Sequence, residues 1–394
     1  MARFVRVDVS REVLEWALDR SGKRAQLEKK LPMLGKWLKG EEKPTVKQLE
    51  GFARQTHVPL GVLFLKHPPE EELPIADYRT FDDNLVREPS RNLMDTVYAM
   101  QRRQAWLRDY LIEEGYEPKS FVGSATPSDN VADIAASIRR TLGLSDDWAH
   151  SLRTWEEALT RLFQKAEQIG IMVVRNGIVG NSTTRKLDVT EFRGFVLVDE
   201  YAPVVFLNSN DSKAAQMFTF AHELAHIWLG RSGVFDLAYL QPAEEGIEKT
   251  CNRIAAEFLV PIDRLRDHLS MRMQQVGHRV AFHDMAREFK VSPLVIARRA
   301  LDLKLTSYAE YRAFYRDYLE RLRRWEERTD DEDSNDGPRF YEVQRLRVGR
   351  LFIRYVVSAL KEGKLLYREA YNLTGLYGDT FAEYAARETG GVLQ

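Results

Sequence analysis

The segment that most constrains this chain is His222-Glu223-Leu224-Ala225-His226. On a helix, residues four positions apart lie on the same face, one turn from each other. Both imidazoles can therefore reach one metal ion, and the intervening glutamate can lie beside a water molecule bound to that ion. Zinc lowers the pKa of such a water, and a carboxylate can take its proton as the water attacks a carbonyl group. The segment therefore predicts a helical metal site with hydrolytic chemistry.

The residues around this segment predict that it is helical. Ser212 offers an N-cap and Gly230 offers a stop, so we expect one helix over about 212–229. The apolar face of this helix is formed by Phe218, Ala221, Ala225 and Trp228. The competing interpretation is an ordinary helix with two surface histidines, and the match of spacing and helical context argues against it.

A hydrolytic zinc site needs a third protein ligand and an open fourth position. A second helix, expected over about 243–259, supplies the candidate acids. Glu248 lies one turn before Asn252, at the flank of that helix's apolar stripe, so it can face the first helix while the stripe packs. We therefore expect Glu248 and the two histidines to bind Zn²⁺, with Glu223 as the catalytic base. Other divalent ions would also fit such a ligand set.

The other reactive side chains of the second helix have simpler explanations. Glu244 and Glu245 lie in its first turn, where acids favour the helix dipole. Glu257 is interpreted as a solvated acid. Cys251, the one cysteine of the chain, falls within the apolar stripe, so we expect it to be buried and inert. The alternative is a redox-sensitive thiol near the zinc ion, which would require an exposed thiol of low pKa.

Composition limits the remaining classes of function. The formal net charge is -1, so nucleic-acid binding would need a local basic patch. A single cysteine excludes an intrachain disulfide and fits a reducing compartment. The first residues lack the apolar segment of a signal peptide, and no stretch approaches the roughly 18 apolar residues of a membrane span. We expect a cytoplasmic protein that has no membrane partner.

The pattern along the chain predicts a mainly α fold with a small β-sheet (α+β). Three short apolar runs, rich in β-branched residues, predict strands at 171–174, 194–198 and 204–207. Most other segments have helical periodicity. A proline-rich segment after residue 66 and an acidic segment at 330–338 are typical of linkers.

The two predicted helices resemble the ImmA/IrrE family of metallopeptidases. The resemblance rests on four motifs and covers about residues 150–310; the motifs are Phe192–Phe195, Val205–Asn208, Phe218–His226 and Glu248–Pro261. It implies a zincin-like metallopeptidase core flanked by helical domains. One departure is Cys251, where many members of the family have alanine.

The resemblance also implies roles and a substrate class. In the family, the two histidines and the downstream glutamate bind zinc, which corresponds to His222, His226 and Glu248 here. The glutamate within the motif is the catalytic base, which corresponds to Glu223. Family members typically cut a helix-turn-helix repressor encoded nearby, so the implied partner is a protein substrate of that kind or an antitoxin.

The N-terminal segment resembles the phage-repressor (XRE-type) helix-turn-helix domain that some family members carry. The similarity lies in Trp37–Thr45 and Leu60–Leu65. Lys36 and Lys39 are the candidate DNA contacts, although Pro32 interrupts the part that would enter the major groove. The alternative is a repressor-like fold that docks a protein partner.

A second segment, about 275–303, also has helix-turn-helix character, with its turn at 290–292. Arg298 and Arg299 there carry the same ambiguity between DNA and protein contacts. The expected domain organisation is 1–66, repressor-like helix-turn-helix domain; 67–91, linker; 92–150, helical connecting region; 151–265, zincin-like peptidase core; 266–328, helical, helix-turn-helix-like segment; 329–338, acidic linker; and 339–394, helical C-terminal region.

Three functions are compatible with these patterns. The leading hypothesis is a zinc-dependent endopeptidase that cleaves a helix-turn-helix repressor or antitoxin. The main alternative is a DNA-binding transcriptional regulator whose protease-like domain senses metal or a partner without cutting. A third hypothesis is a toxin–antitoxin or antiphage component in which the C-terminal region senses the trigger. The oligomeric state is left open.

Overall fold

The computed structural model describes residues 6–21, 24–69, 89–235, 246–329 and 340–390. The chain divides into two compact units: Met1–Pro74 with Val86–Val97, and Ile75–Leu85 with Tyr98–Gln394. Most of both expected linkers lies outside the described residues, and so do Glu244 and Glu245. The expected mainly α fold with a small sheet is confirmed.

Short helices around a small apolar core form the first unit. They are α1 (Arg11–Ser21), α2 (Arg24–Lys30), α3 (Leu34–Leu38), α4 (Val46–Thr56) and a 3-10 helix (Leu60–Phe64). The side chains of Leu49 and Phe52 are fully buried in that core. Thr45 and Gln48 form a reciprocal cap at the start of α4, and His57 ends the helix in the left-handed region. The helical periodicity of this segment is confirmed, whereas the helix-turn-helix assignment stays a prediction.

Helices also dominate the second unit, and α5 (Arg91–Glu113) starts in the first unit and continues into it. The next are α6 (Val131–Thr141), α7 (Trp155–Gln168), α8 (Lys213–Leu229), α9 (Ile247–Leu259), α10 (Ile262–Phe289), α11 (Pro293–Asp302) and α12 (Tyr308–Thr329). The last are α13 (Phe340–Val348), α14 (Arg350–Lys361), α15 (Tyr367–Thr374) and α16 (Gly378–Thr389). None of these described helices is both long enough and apolar enough to cross a membrane.

A four-stranded sheet forms one layer of the second unit. A separate two-stranded hairpin follows the first strand of this sheet in the chain. The strands are β1 (Met172–Asn176), β2 (Ile178–Val179), β3 (Ser182–Lys186), β4 (Gly194–Leu197), β5 (Val204–Asn208) and β6 (Gly233–Phe235). The sheet order is β1-β5-β4-β6, with β1 parallel to β5 and the other pairs antiparallel. The three predicted strands are confirmed as β1, β4 and β5, which are buried on both faces and therefore read as continuous apolar runs.

The C-terminal helices cover the edge of this sheet. Helices α13 and α14 pack on β1, whose other side pairs with β5. At their junction Gly349 adopts a φ of +88°, and a Cβ there would lie 3.0 Å from the carbonyl oxygen of Val173 in β1. Only glycine suits this position, because other residues rarely adopt such a φ and because the position leaves no space for a side chain. The covered edge cannot pair with another strand.

Helix α8 lies in the middle of the second unit and is buried from Gln216 to Leu229. It packs on α9 along one side, and the ring of Phe220 packs edge-on against Phe163 of α7 at 4.9 Å between centroids. On the sheet side, Gly194 allows a close approach, because a Cβ there would lie 2.7 Å from Cγ2 of Thr219. Helix α8 is therefore packed on several sides, by α9, α7 and the sheet, whereas the sequence pattern predicted one buried apolar face.

The predicted second helix-turn-helix segment is present as a local geometry. Helix α10 ends at Lys290, which has a φ of +55°, and Ser292 caps α11 through a hydrogen bond from the Val295 amide. Arg299, however, is buried and paired within the protein, so it is not available to contact DNA. It is 6% exposed and pairs with Glu257, and it also donates to the carbonyl oxygen of Val260 at 3.1 Å. Its guanidinium therefore holds the end of α9 against α11.

Candidate metal centre

Two helices bring the predicted ligands together. Helix α8 starts where Ser212 accepts a hydrogen bond from the Ala215 amide, and it ends at Gly230 in the left-handed region. Its two histidines therefore lie on one face, one turn apart. Helix α9 packs along that face and carries Glu248 in its first turn.

The ligand atoms converge on one point. The Nε2 atoms of His222 and His226 are 3.0 Å apart. One oxygen of Glu248 lies 3.0 Å from Nε2 of His222, and the other lies 3.2 Å from Nε2 of His226. Both imidazoles are buried, whereas the Glu248 side chain is 44% exposed. The three residues can therefore share one ion that remains accessible from the Glu248 side.

This geometry fits a tetrahedral metal site. Ligand atoms at about 2.0–2.1 Å from zinc and at tetrahedral angles lie about 3.3 Å from each other. The three ligand-to-ligand distances, between 3.0 and 3.2 Å, are close to that value. Two imidazoles and one carboxylate also form a donor set that zinc accepts, with a fourth position left for water. The residues present therefore fit the expected ion.

The protonation states suit metal binding as well. Burial lowers the pKa of His222, which favours the neutral imidazole that a metal requires. Burial by itself raises the pKa of Glu248, but its interactions with His222 and His226 outweigh burial and hold that pKa well below its usual range. The carboxylate is therefore ionised, which is the form that binds a metal.

Glu223 has a different environment from that of Glu248. Its side chain is fully buried, and neither carboxylate oxygen has a hydrogen-bond partner among the described residues. Burial raises the pKa of Glu223 well above its ordinary value, and the charge of Glu248 raises it further. A buried carboxyl group without a partner is costly, so its retention beside a metal site points to proton transfer. The two glutamates thus differ in state: Glu248 is ionised beside the histidines, whereas burial favours the protonated form of Glu223.

Asn252 makes a contact at the candidate metal centre that sequence reasoning missed. Its side-chain oxygen lies 2.8 Å from Nδ1 of His222. The spacing alone could have indicated it, since Asn252 follows Glu248 by four residues and so shares its helix face. Nδ1 of His226 is buried and has no such partner among the described residues.

Two other predictions for α9 have different outcomes. Cys251 is fully buried, as expected, and burial raises the pKa of its thiol well above the usual value, which disfavours the reactive thiolate. The interpretation of Glu257 as a solvated acid is wrong. Glu257 is 7% exposed, pairs with Arg299 and accepts a hydrogen bond from the Ile262 amide at 3.2 Å. Glu257 therefore links α9 to α10 and α11, and it is not part of the His222, His226 and Glu248 cluster.

The candidate DNA contacts lie in the first unit. Lys36 and Lys39 are both exposed at α3, a helix of only five residues. The Lys36 ammonium lies 3.7 Å from a carboxylate oxygen of Glu42. The role of these lysines stays a prediction.

Comparison with known proteins places the metal centre inside a peptidase family match. Residues 166–301 match the family Peptidase_M78, described as IrrE N-terminal-like domain. The match contains both ligand-bearing helices and supports the resemblance to the ImmA/IrrE metallopeptidases. Residues 348–387 match DUF8813, a domain of unknown function. No curated protein matches the chain.

Proposed function

We propose that this chain, with its IrrE N-terminal-like region, is a zinc-dependent endopeptidase that cleaves a helix-turn-helix repressor or an antitoxin. The observation that carries the proposal is that three ligand atoms meet beside the buried carboxyl group of Glu223, which has no hydrogen-bond partner among the described residues. His222, His226 and Glu248 would hold the ion. The substrate class rests on the resemblance to the family.

Each residue has a separate task in this mechanism. A bound zinc ion supplies a Lewis acid and lowers the pKa of a coordinated water molecule. Glu223 takes a proton from the water as its oxygen attacks the peptide carbonyl carbon, and the protonated carboxyl group then gives that proton to the leaving amine nitrogen. Once ionised, a carboxylate with a raised pKa is the stronger base, and after it takes the proton it can hold it until the amine leaves.

Replacing the base tests the mechanism. The purified full chain is loaded with zinc and mixed with the helix-turn-helix protein encoded beside it, and fragments are identified by mass spectrometry. We expect Glu223→Gln to keep one equivalent of zinc and to lose about 10²–10⁴-fold of the cleavage rate. Glu117→Gln, at an exposed position away from α8, is the matched control and should cut at the original rate. Cleavage by Glu223→Gln at the original rate would overturn the mechanism.

A second candidate function belongs to the first unit. We propose DNA binding there as the alternative role, because Lys36 in the short helix α3 and Lys39 at its C-cap are both exposed to solvent. A gel shift on the chain's own promoter tests it. Binding should weaken steeply with salt, and Lys36→Gln with Lys39→Gln should weaken it at every sequence, since lysines mostly contact phosphate. Absence of a shift near physiological salt would exclude this function.

A further inference from the structure

A cavity of about 700 Å³ lies in the second unit, away from the metal centre. Its walls come from α7, from β1, from the first residue of α8 and from the junction of α13 with α14. None of the metal ligands lines it. Its size is in the range of pockets that hold ligands as large as drugs and nucleotides.

The C-terminal wall of this cavity is fixed in place. One carboxylate oxygen of Glu167, at the end of α7, accepts hydrogen bonds from the backbone amides of Arg350 at 3.0 Å and Leu351 at 3.3 Å. These amides belong to the first turn of α14, which has no side-chain cap of its own. Together with the close approach of Gly349 to β1, this contact makes the cavity a built feature of the fold.

Positive charge predominates in the lining. The basic residues are Arg175, Lys213, Arg345, Arg347 and Arg350, and the acidic residues are Glu156, Glu167 and Glu342. Glu156 is shared, since it lies 3.1 Å from Arg175 and 3.1 Å from Lys213. Arg345 pairs with Glu388 at 2.7 Å. The remaining arginines have weaker compensation.

Arg347 and Arg350 are the least neutralised of these groups. The Nε atom of Arg347 is buried with no hydrogen-bond partner among the described residues, and its NH1 donates to Asn181 at 3.3 Å. The guanidinium of Arg350 forms no ion pair within 4 Å in the described part of the chain, although the charge of Glu167 acts on it. Arg175 is 7% exposed, and its Nε is likewise buried without a partner. An acceptor on a molecule bound in the cavity would satisfy donors of this kind.

We propose that this cavity binds a phosphorylated organic molecule of about nucleotide size. Guanidinium groups match the planar arrangement of phosphate oxygens, and the first turn of α8 adds the positive end of a helix dipole. Phe163, Val173 and Leu346 supply apolar wall for the organic part. Inorganic phosphate alone would leave most of the volume unfilled.

The bound molecule would contact the helix that carries the metal ligands and the C-terminal helices together. Lys213 is the first residue of α8, and Arg347 and Arg350 flank the junction of α13 with α14. A ligand that binds only this assembled arrangement stabilises it by a free energy that rises with the logarithm of the ligand concentration divided by Kd.

The full chain loaded with zinc is titrated by calorimetry with ADP, ribose 5-phosphate and inorganic pyrophosphate, and with uncharged adenosine for comparison. We expect one equivalent of a phosphorylated probe to bind and to raise the unfolding temperature. Arg347→Gln and Arg350→Gln should each weaken this binding about tenfold or more. Arg354→Gln removes an exposed arginine from the same helix as Arg350, outside the cavity, and should leave the affinity unchanged.

Three outcomes would overturn the proposal: no binding of any phosphorylated probe at millimolar concentration, equal binding of adenosine and ADP, or equal losses in Arg354→Gln and Arg350→Gln. Zinc content and unfolding temperature without ligand show whether each variant folds. If Arg347→Gln does not fold, Arg350→Gln decides, since its side chain makes no hydrogen bond in the described structure. Affinity that falls with added salt supports recognition by charge.

Discussion

The side-chain oxygen of Asn252 lies 2.8 Å from Nδ1 of His222. An amide oxygen only accepts hydrogen bonds, so the proton of the neutral imidazole is held on Nδ1. The lone pair of Nε2 is then directed toward the point where Glu248 and His226 meet it. Asn252 thus selects the tautomer that a metal needs, from a position on the same helix as Glu248.

Replacing Asn252 should weaken metal binding without removing a ligand. We expect Asn252→Ala to lower the affinity for zinc by about 10–100-fold, as is usual when the partner of a ligating histidine is lost. Competition with a chelator measures the affinity. Asn252→Asp keeps an acceptor at the same position and should retain most of the affinity. Equal affinities for the alanine and aspartate variants would contradict this role.

The sequence predicted the ligands because their geometry is local. The four-residue spacing of His222 and His226 is a property of any helix, and the apolar stripe of α9 sets the side on which Glu248 projects. The four-residue spacing places Asn252 on the same helix face as Glu248, but the imidazole atom that it contacts depends on how α8 and α9 pack.

The errors at Glu257 and Arg299 have one physical cause. Each residue is charged, and charged side chains are mostly exposed in proteins, so the residue type alone predicts a surface position. Buried charges in proteins are usually paired. The two paired residues here lie on different helices and are 42 positions apart in sequence. Strands β2, β3 and β6 were missed for a related reason. Strands β2 and β6 have only two and three residues, and β3 is polar, so none of them has the apolar pattern that predicts a buried strand.

The two glutamates of α9 should respond differently to the same substitution. Glu248→Gln removes a ligand, so we expect it to weaken zinc binding by more than the 10–100-fold loss of an outer residue such as Asn252. Glu257→Gln should keep one equivalent of zinc but lower the free energy of unfolding by about 3 kcal/mol, because Arg299 is then buried without its counter-charge. Zinc content and urea unfolding measure the two effects. Loss of zinc in Glu257→Gln, with the fold intact, would contradict the assignment.

Glu167 should make stability depend on pH. Burial raises its pKa above the ordinary value of 4.5, although the amides of Leu351 and Arg350 and the nearby arginine charges lower it. The folded state therefore holds the proton more tightly than the unfolded chain. The stabilisation that the protonated Glu167 gives to the folded state is complete below pH 4.5, and it is lost as the pH rises through the folded pKa.

Glu167→Gln cannot ionise and removes this dependence. The unfolding temperature of the original chain, relative to that of Glu167→Gln, should therefore fall as the pH is raised from about 4 to 7. Glu342→Gln changes an exposed glutamate at the same cavity and serves as the control. A difference between the original chain and Glu167→Gln that is constant over this range, or one that grows with pH, would contradict the raised pKa.

Gly230 ends the helix that carries the metal ligands, and its substitution should cost stability for two separable reasons. It has a φ of +67°, and a Cβ there would lie 3.1 Å from the Cα of Gly123, whose amide donates to the carbonyl oxygen of Ile227 at 2.9 Å. Gly180 has a φ of +55° with nothing within 4 Å, so Gly180→Ala measures the backbone penalty of about 1–2 kcal/mol alone. We expect Gly230→Ala to cost at least about 1 kcal/mol more, because the loop around Gly123 must shift and release carbonyl groups at the end of α8. Urea unfolding of the two variants measures this difference, and equal losses would show that the contact between Gly123 and Gly230 does not hold the end of this helix.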